Sequence, residues 1–142
     1  MNDTSSRIAA TLLRVTFGTI LIAHALLKVL VFTMPGTVGF FVSQGFPGWM
    51  AYPVVAIEFL GGVALVLGFQ TRVTALATLP VLLGALTVHM GNGWVFNAPN
   101  GGWEYPALLA VLAVVVALQA KLGAGLGILG SGRETALRRQ AV

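Results

Sequence analysis

Five side chains able to move protons or carry charge are set into an otherwise apolar chain: His24, Lys28, Glu58, His89 and Glu104. His24 and Lys28 are four residues apart, so on a helix they stack on one face. Glu58 stands inside the run VAIEFLGGVALVLGF (55–69), and His89 and Glu104 flank the turn-rich GNGWVFNAPNGGW (91–103). A lysine beside a carboxylate makes an ion pair, and imidazole and carboxylate groups accept and donate protons. Two histidines and two carboxylates are also a donor set for a metal ion. Two histidines from different segments are the minimum for bis-histidine haem ligation. Neither metal nor haem has a supporting motif, and Lys28 would repel a cation. Hydrogen-bonded structural histidines are the commoner case, and no metal is expected.

The elements that carry these residues follow from composition. Of 142 residues, 57% are hydrophobic and only 8% charged, against about 25% charged in a typical soluble domain. There is too little polar surface to cover a core in water, so the chain is expected to reside in a membrane. Four stretches approach the roughly 20 residues needed to cross a bilayer: 8–30, 53–69, 73–90 and 104–122. The first follows the polar MNDTSSR, contains Arg14 and has no small-residue cleavage site after it, so it reads as a retained helix. The expectation is an all-α, four-helix transmembrane bundle forming a single membrane domain over residues 1–142. With no cysteine in the chain, thiol exchange, thiolate metal sites and iron–sulfur clusters are excluded.

Basic residues set the expected orientation. Arg7 precedes the first stretch, Arg72 sits in the short turn between the second and third, and Lys121, Arg133, Arg138 and Arg139 follow the fourth. The connections 31–52 and 91–103 contain no Lys or Arg. The positive-inside rule then places both termini and the Arg72 turn in the cytoplasm. Trp49, Trp94, Trp103, Tyr52 and Tyr105 all fall on the outer side, as an aromatic belt would. The first outer connection is long, and its TVGFFVSQGF portion (37–46) is expected to form a short interfacial or re-entrant helix bounded by Pro35-Gly36 and Pro47-Gly48.

In that topology each helix sends one or two ionisable groups into the outer half of the bundle. A charge at the centre of a membrane helix costs roughly 2.5–3.5 kcal/mol on insertion scales, so partners are expected: Lys28 with Glu58, or Lys28 with Glu104, with the histidines completing the hydrogen bonds. Gly61 and Gly62 follow Glu58 at i+3 and i+4, where small residues let another helix approach, within one bundle or between copies. Arg14 is read as structural, snorkelling to the cytoplasmic interface or capping inner carbonyls near Gly68. The basic excess, +4 formally, is explained by topology and anionic lipid rather than nucleic acid. GLGILG (125–130) has the spacing of a dinucleotide fingerprint, but it follows a membrane helix rather than a strand and carries no such reading.

Several pieces together resemble the DoxX family of small four-helix membrane proteins: RVTFGTILIAHALLK (14–28), QGFPG (44–48), IEFLGG (57–62), LGFQTR (67–72), His89 and GGWEYP (101–106). The resemblance touches all four expected helices and implies a bacterial-type inner (cytoplasmic) membrane. It also implies a link to redox chemistry, since members resemble membrane subunits of a thiosulfate:quinone oxidoreductase and others are tied to oxidative-stress complexes. On that basis the chain is expected to act as a membrane subunit of a redox system, with a quinone-like molecule beside the polar cluster and Glu58 or His89 as proton acceptor. No flavin, haem-attachment or iron–sulfur motif is present, so electrons would pass through a partner oxidoreductase. The alternatives are a non-enzymatic anchor or assembly factor for a peripheral oxidoreductase, and a passage protein for a small solute or lipid. A fold carries over between relatives more safely than a reaction does.

Overall fold

The computed structural model describes residues 3–120. The last residues of the expected 104–122 helix and the tail 123–142, with its basic residues and GLGILG, lie outside the described residues. Regular structure among the described residues is entirely helical: α1 (Asp3–Leu26), α2 (Met34–Ser43), α3 (Ala51–Leu67), α4 (Thr71–His89) and α5 (Glu104–Gln119). A five-residue π-helical turn, Leu27–Val31, extends α1, and short 3₁₀ turns precede α3 and follow α4.

Among the described residues, three continuous helical segments are long and apolar enough to cross a bilayer: Thr4–Val31, Gly48–Leu67 and Thr71–Asn92. The 16 residues of α5 rise about 24 Å, less than the roughly 30 Å hydrocarbon layer. The helix starts depart from expectation for local reasons. Pro53 lies in the first turn of α3 rather than at its start, where its missing N–H goes unused. At the other end of α3, Gly68 takes the left-handed conformation (φ 76°) that stops the helix, and Phe69 N–H closes back on the Ala64 carbonyl at 2.8 Å. The short outer helix also begins earlier than expected, at Met34 with Pro35 in its first turn. Two residues past its last residue, Ser43, the chain turns at Gly45 (φ 82°), with Phe46 N–H bonded to the Phe41 carbonyl and the two rings 6.2 Å apart.

The four longer helices form a ring in which α1 packs on α3 and α5, and α4 packs on α3 and α5. Phe17, Leu21, Leu65, Ala75, Leu82, Leu109, Ala113 and Val116 fill its centre. Outward faces carry exposed Leu12, Leu30, Leu60, Leu67 and Leu118, an apolar exterior that matches lipid and not water.

Two glycines set the closest approach. A Cβ on Gly62 would lie 2.7 Å from the Gly18 carbonyl oxygen, and one on Gly18 would lie 2.7 Å from that of Gly62. Gly62 therefore serves the α1–α3 contact, whereas Gly61 faces Thr78 and Thr74 of α4. Both expected small residues lie between helices of this chain. At the opposite end of the ring from α2, the Arg14 guanidinium donates to the Leu65 carbonyl and, at 3.1 Å, to that of Val66. Both carbonyls belong to the final turn of α3, where the regular i to i+4 bonds run out; the Leu65 carbonyl also accepts from Gly68 N–H at 3.1 Å.

Candidate functional site: a polar pocket beneath α2

At the end of the ring capped by α2, the π-helical turn determines where Lys28 goes. Such widened turns re-aim a side chain relative to a regular helix. The Lys28 carbonyl accepts a hydrogen bond from the buried Thr37 hydroxyl at 2.8 Å, which ties α2 to the turn. The Lys28 ammonium reaches across to α3 and donates to both oxygens of Glu58, at 2.8 and 2.7 Å. Glu58 is only 6% exposed. Its burial is tolerable because both oxygens are engaged by a charged donor.

His24, one turn earlier on α1, donates from Nδ1 to the Ile20 carbonyl at 2.8 Å. Its ring stacks on Tyr105 of α5, with centroids 5.8 Å apart and planes 24° from parallel. His89, the last residue of α4, donates from Nδ1 to the Gly101 carbonyl at 3.0 Å. That carbonyl also accepts from the Asn92 side-chain amide at 3.0 Å. A carbonyl can only accept, so Nδ1 carries the hydrogen in both rings. In the neutral form each Nε2 is then left with an open lone pair.

Glu104 stands apart from this group. Its Oε1 accepts from the Phe96 backbone N–H at 2.8 Å and so pins the 93–103 loop. The same loop closes through Trp103 N–H to Gly93 and Glu104 N–H to Trp94, with Trp94 and Trp103 edge to face at 4.3 Å. Gly102 fits there only as glycine, because a Cβ would fall 2.0 Å from the Val95 carbonyl oxygen. The loop in turn holds His89 through Gly101, so Glu104 touches the site at one remove.

His24, Lys28, Glu58 and His89 line one cavity of about 240 Å³. Its walls are otherwise largely apolar: Leu21, Val54, Leu82, Val88 and Leu109 from the long helices, and Phe40, Phe41 and Phe46 from α2 and the residues after it. Tyr105 and Gln44 add two polar groups that the sequence reading did not assign to the site. A signal for Tyr105 existed, because it shares the spacing of the buried Leu109, Ala113 and Val116 and Glu104 does not. Pro80, inside α4, also lines the cavity. Among the described residues no three His, Asp or Glu side chains converge as a metal ion would require. Arg72, expected in the short turn between the second and third stretches and to serve structure rather than the site, falls in the first turn of α4, at the end of the ring away from the cavity.

Such a molecule, all-helical, with lipid-matching exterior and a polar pocket under a short capping helix, is a small integral membrane protein. Comparison with known sequences says which kind. The sequence model of the DoxX family matches residues 9–90, and the chain belongs to that family. It is 37% identical over 115 residues to the Bacillus subtilis (strain 168) protein named "Putative oxidoreductase CatD", a match covering 80% of this chain and 81% of that one. It is also 37% identical over 79 residues to the Escherichia coli (strain K12) "Inner membrane protein YqjF", covering 49% of this chain and 61% of that relative. The chain is thus of the inner, cytoplasmic-membrane type. No solved structure matches.

Proposed function

We propose that the protein is a membrane subunit of a redox system, and that the pocket beneath α2 receives the head group of a quinone-like molecule while a partner oxidoreductase exchanges the electrons. In this reading α5 completes a fourth crossing and both termini are cytoplasmic. The observation that carries it is the convergence of four ionisable side chains from three helices on one apolar-walled cavity.

The size suits the ligand class. A dry cavity of about 150 Å³ holds benzene, and pockets for whole drug-sized ligands begin at about 300 Å³. About 240 Å³ accommodates a substituted ring and leaves an isoprenoid tail to the surrounding lipid. A bound quinone would supply two-electron, two-proton chemistry. The chain's own residues would orient the ring against Phe40, Phe41 and Tyr105, exclude water, and hold protons at the Nε2 atoms of His24 and His89. The name of the Bacillus subtilis relative is consistent with redox chemistry.

Gly84 provides the test. It lines the cavity, and a Cβ added there meets nothing within 4 Å. Gly84→Leu should therefore keep the fold, helped by better helix propensity, while filling the space a ring would occupy. Purified protein should bind a short-chain quinone saturably, by quenching of its tyrosine and tryptophan fluorescence, and the variant should not. Equal binding by the two proteins would remove the pocket from the reading.

A second reading has an observation of its own. The two-point Lys28–Glu58 pair would serve equally as a clamp fixing α1 against α3, in an anchor or assembly factor without a ligand. A soluble oxidoreductase that co-purifies with both the wild type and Gly84→Leu, with no quinone bound by either, would favour this role.

A further inference from the structure

We infer that the pocket discriminates by redox state, binding the reduced, dihydroxy form of an aromatic head group more tightly than its oxidised, diketone form. The inference rests on the head-group reading above and concerns which partner of the redox couple the chain is built to hold.

The argument is a count of donors and acceptors. His24 and His89 each spend their Nδ1 hydrogen on a backbone carbonyl, at 2.8 and 3.0 Å. Their Nε2 atoms have no partner among the described residues, and in the neutral rings they can only accept. Glu58 is also an acceptor, but both its oxygens are occupied by Lys28. Lys28 has three N–H bonds, of which two point to Glu58, so one donor remains. Tyr105 and Gln44 both donate and accept, and favour neither form.

A phenolic oxygen donates one hydrogen bond and accepts others, whereas a quinone oxygen only accepts. The diol can satisfy both Nε2 atoms and still accept from Lys28. The diketone can use Lys28 but offers no hydrogen to either histidine nitrogen, leaving both without a donor. A group built to receive a hydroxyl rejects the analogue lacking it, because its own polar atoms are then left unpaired. The paired Lys28 and Glu58 charges sum to zero, which suits a neutral ligand in an apolar chamber.

Three compounds built on one tetramethylated ring separate the possibilities when titrated anaerobically against the full-length protein in mild detergent, with bound ligand measured by equilibrium dialysis. They are tetramethylhydroquinone, tetramethylbenzoquinone and the dimethyl ether of the former, which has the ring and oxygens without the hydrogens. The diol should bind about tenfold or more tightly than either of the others, the ratio expected for two additional neutral hydrogen bonds. His24→Ala and His89→Ala should each narrow that gap, and the double variant should close it. The comparison of diol with quinone, which share every heavy atom, needs no variant, so it stands even where a histidine substitution fails to fold. Equal binding of diol and ether, or tighter binding of the quinone, overturns the selectivity while leaving the head-group reading intact. Failure of all three compounds to bind overturns the head-group reading itself.

Discussion

Breaking the Lys28–Glu58 pair from one side should be far more damaging than removing both partners. Glu58 is 6% exposed, and the Lys28 side chain keeps 21% of its surface open. The two contacts at 2.8 and 2.7 Å engage both carboxylate oxygens. Lys28→Met leaves a buried carboxylate without its cation, and Glu58→Met leaves an ammonium facing apolar walls. Removing one partner of a buried pair costs about 3–5 kcal/mol, whereas replacing both with apolar side chains of similar volume is often neutral or stabilising. The figure belongs at the lower end here, because Lys28 is partly open. At about 3 kcal/mol, and with a 142-residue chain near the 2–4 °C per kcal/mol of similarly sized domains, each single variant should lose about 10 °C in melting temperature. The double variant should regain most of that loss. The assay is thermal unfolding in one detergent, followed by tryptophan fluorescence for the wild type, both singles and the double. Additive losses, with the double variant melting about 20 °C low, would refute the coupling. Singles within a degree or two of wild type would refute the claim that the charges are buried enough to matter.

Three further outcomes follow from the geometry. Gly62→Leu should prevent accumulation of folded protein, because its Cβ alone would meet the Gly18 carbonyl oxygen at 2.7 Å; Gly39→Leu, with open space around it, serves as the matched control in a detergent size-exclusion profile. Glu104→Gln should keep the 93–103 loop protected from proteolysis, since the amide oxygen still accepts from Phe96 N–H, whereas Glu104→Ala should expose it to cleavage. Arg14→Ala should destabilise by about 1.5–3 kcal/mol per carbonyl left without its charged donor. Arg14→Lys should recover part of that, measured by the same thermal unfolding.

Much of the architecture was legible because membrane helices announce themselves by length and hydropathy. Their ends were less so, since Pro53 and Pro35 can each sit inside a first turn as readily as before one. The candidate site was partly legible for a different reason. Ionisable residues are so few in this chain that those sharing one end of the helices had few places to go, and His24, Lys28, Glu58 and His89 do line one cavity. The assignment of Glu104 to that group rested on its position along the chain. Direction around the helix decides instead, and the neighbouring Tyr105 takes the inward place while Glu104 turns to the loop. The π-helical turn at Lys28 had no signal in composition. It arises where α1 must hand over to α2, and Thr37 stabilises it from nine residues away.

The arrangement also explains why a carboxylate belongs in the run 55–69 at all. A lone acid there would be an expensive defect, and Lys28 relieves it across the same pair of helices that Gly18 and Gly62 bring together. The close backbone approach lies one turn from Glu58 on α3 and ten residues before Lys28 on α1, and from that convergence the long lysine side chain spans to Glu58 with both contacts under 3 Å. Glycine packing and ion pairing are therefore linked features of the α1–α3 seam, and disturbing the first should loosen the second. A substitution smaller than leucine reveals the link. Gly18→Ala should push α3 outward by a few tenths of an ångström, and the effect should appear as weaker Lys28–Glu58 coupling in the double-variant cycle before it appears as unfolding. If the coupling energy is unchanged in a Gly18→Ala background that has itself lost stability, the seam and the ion pair are independent.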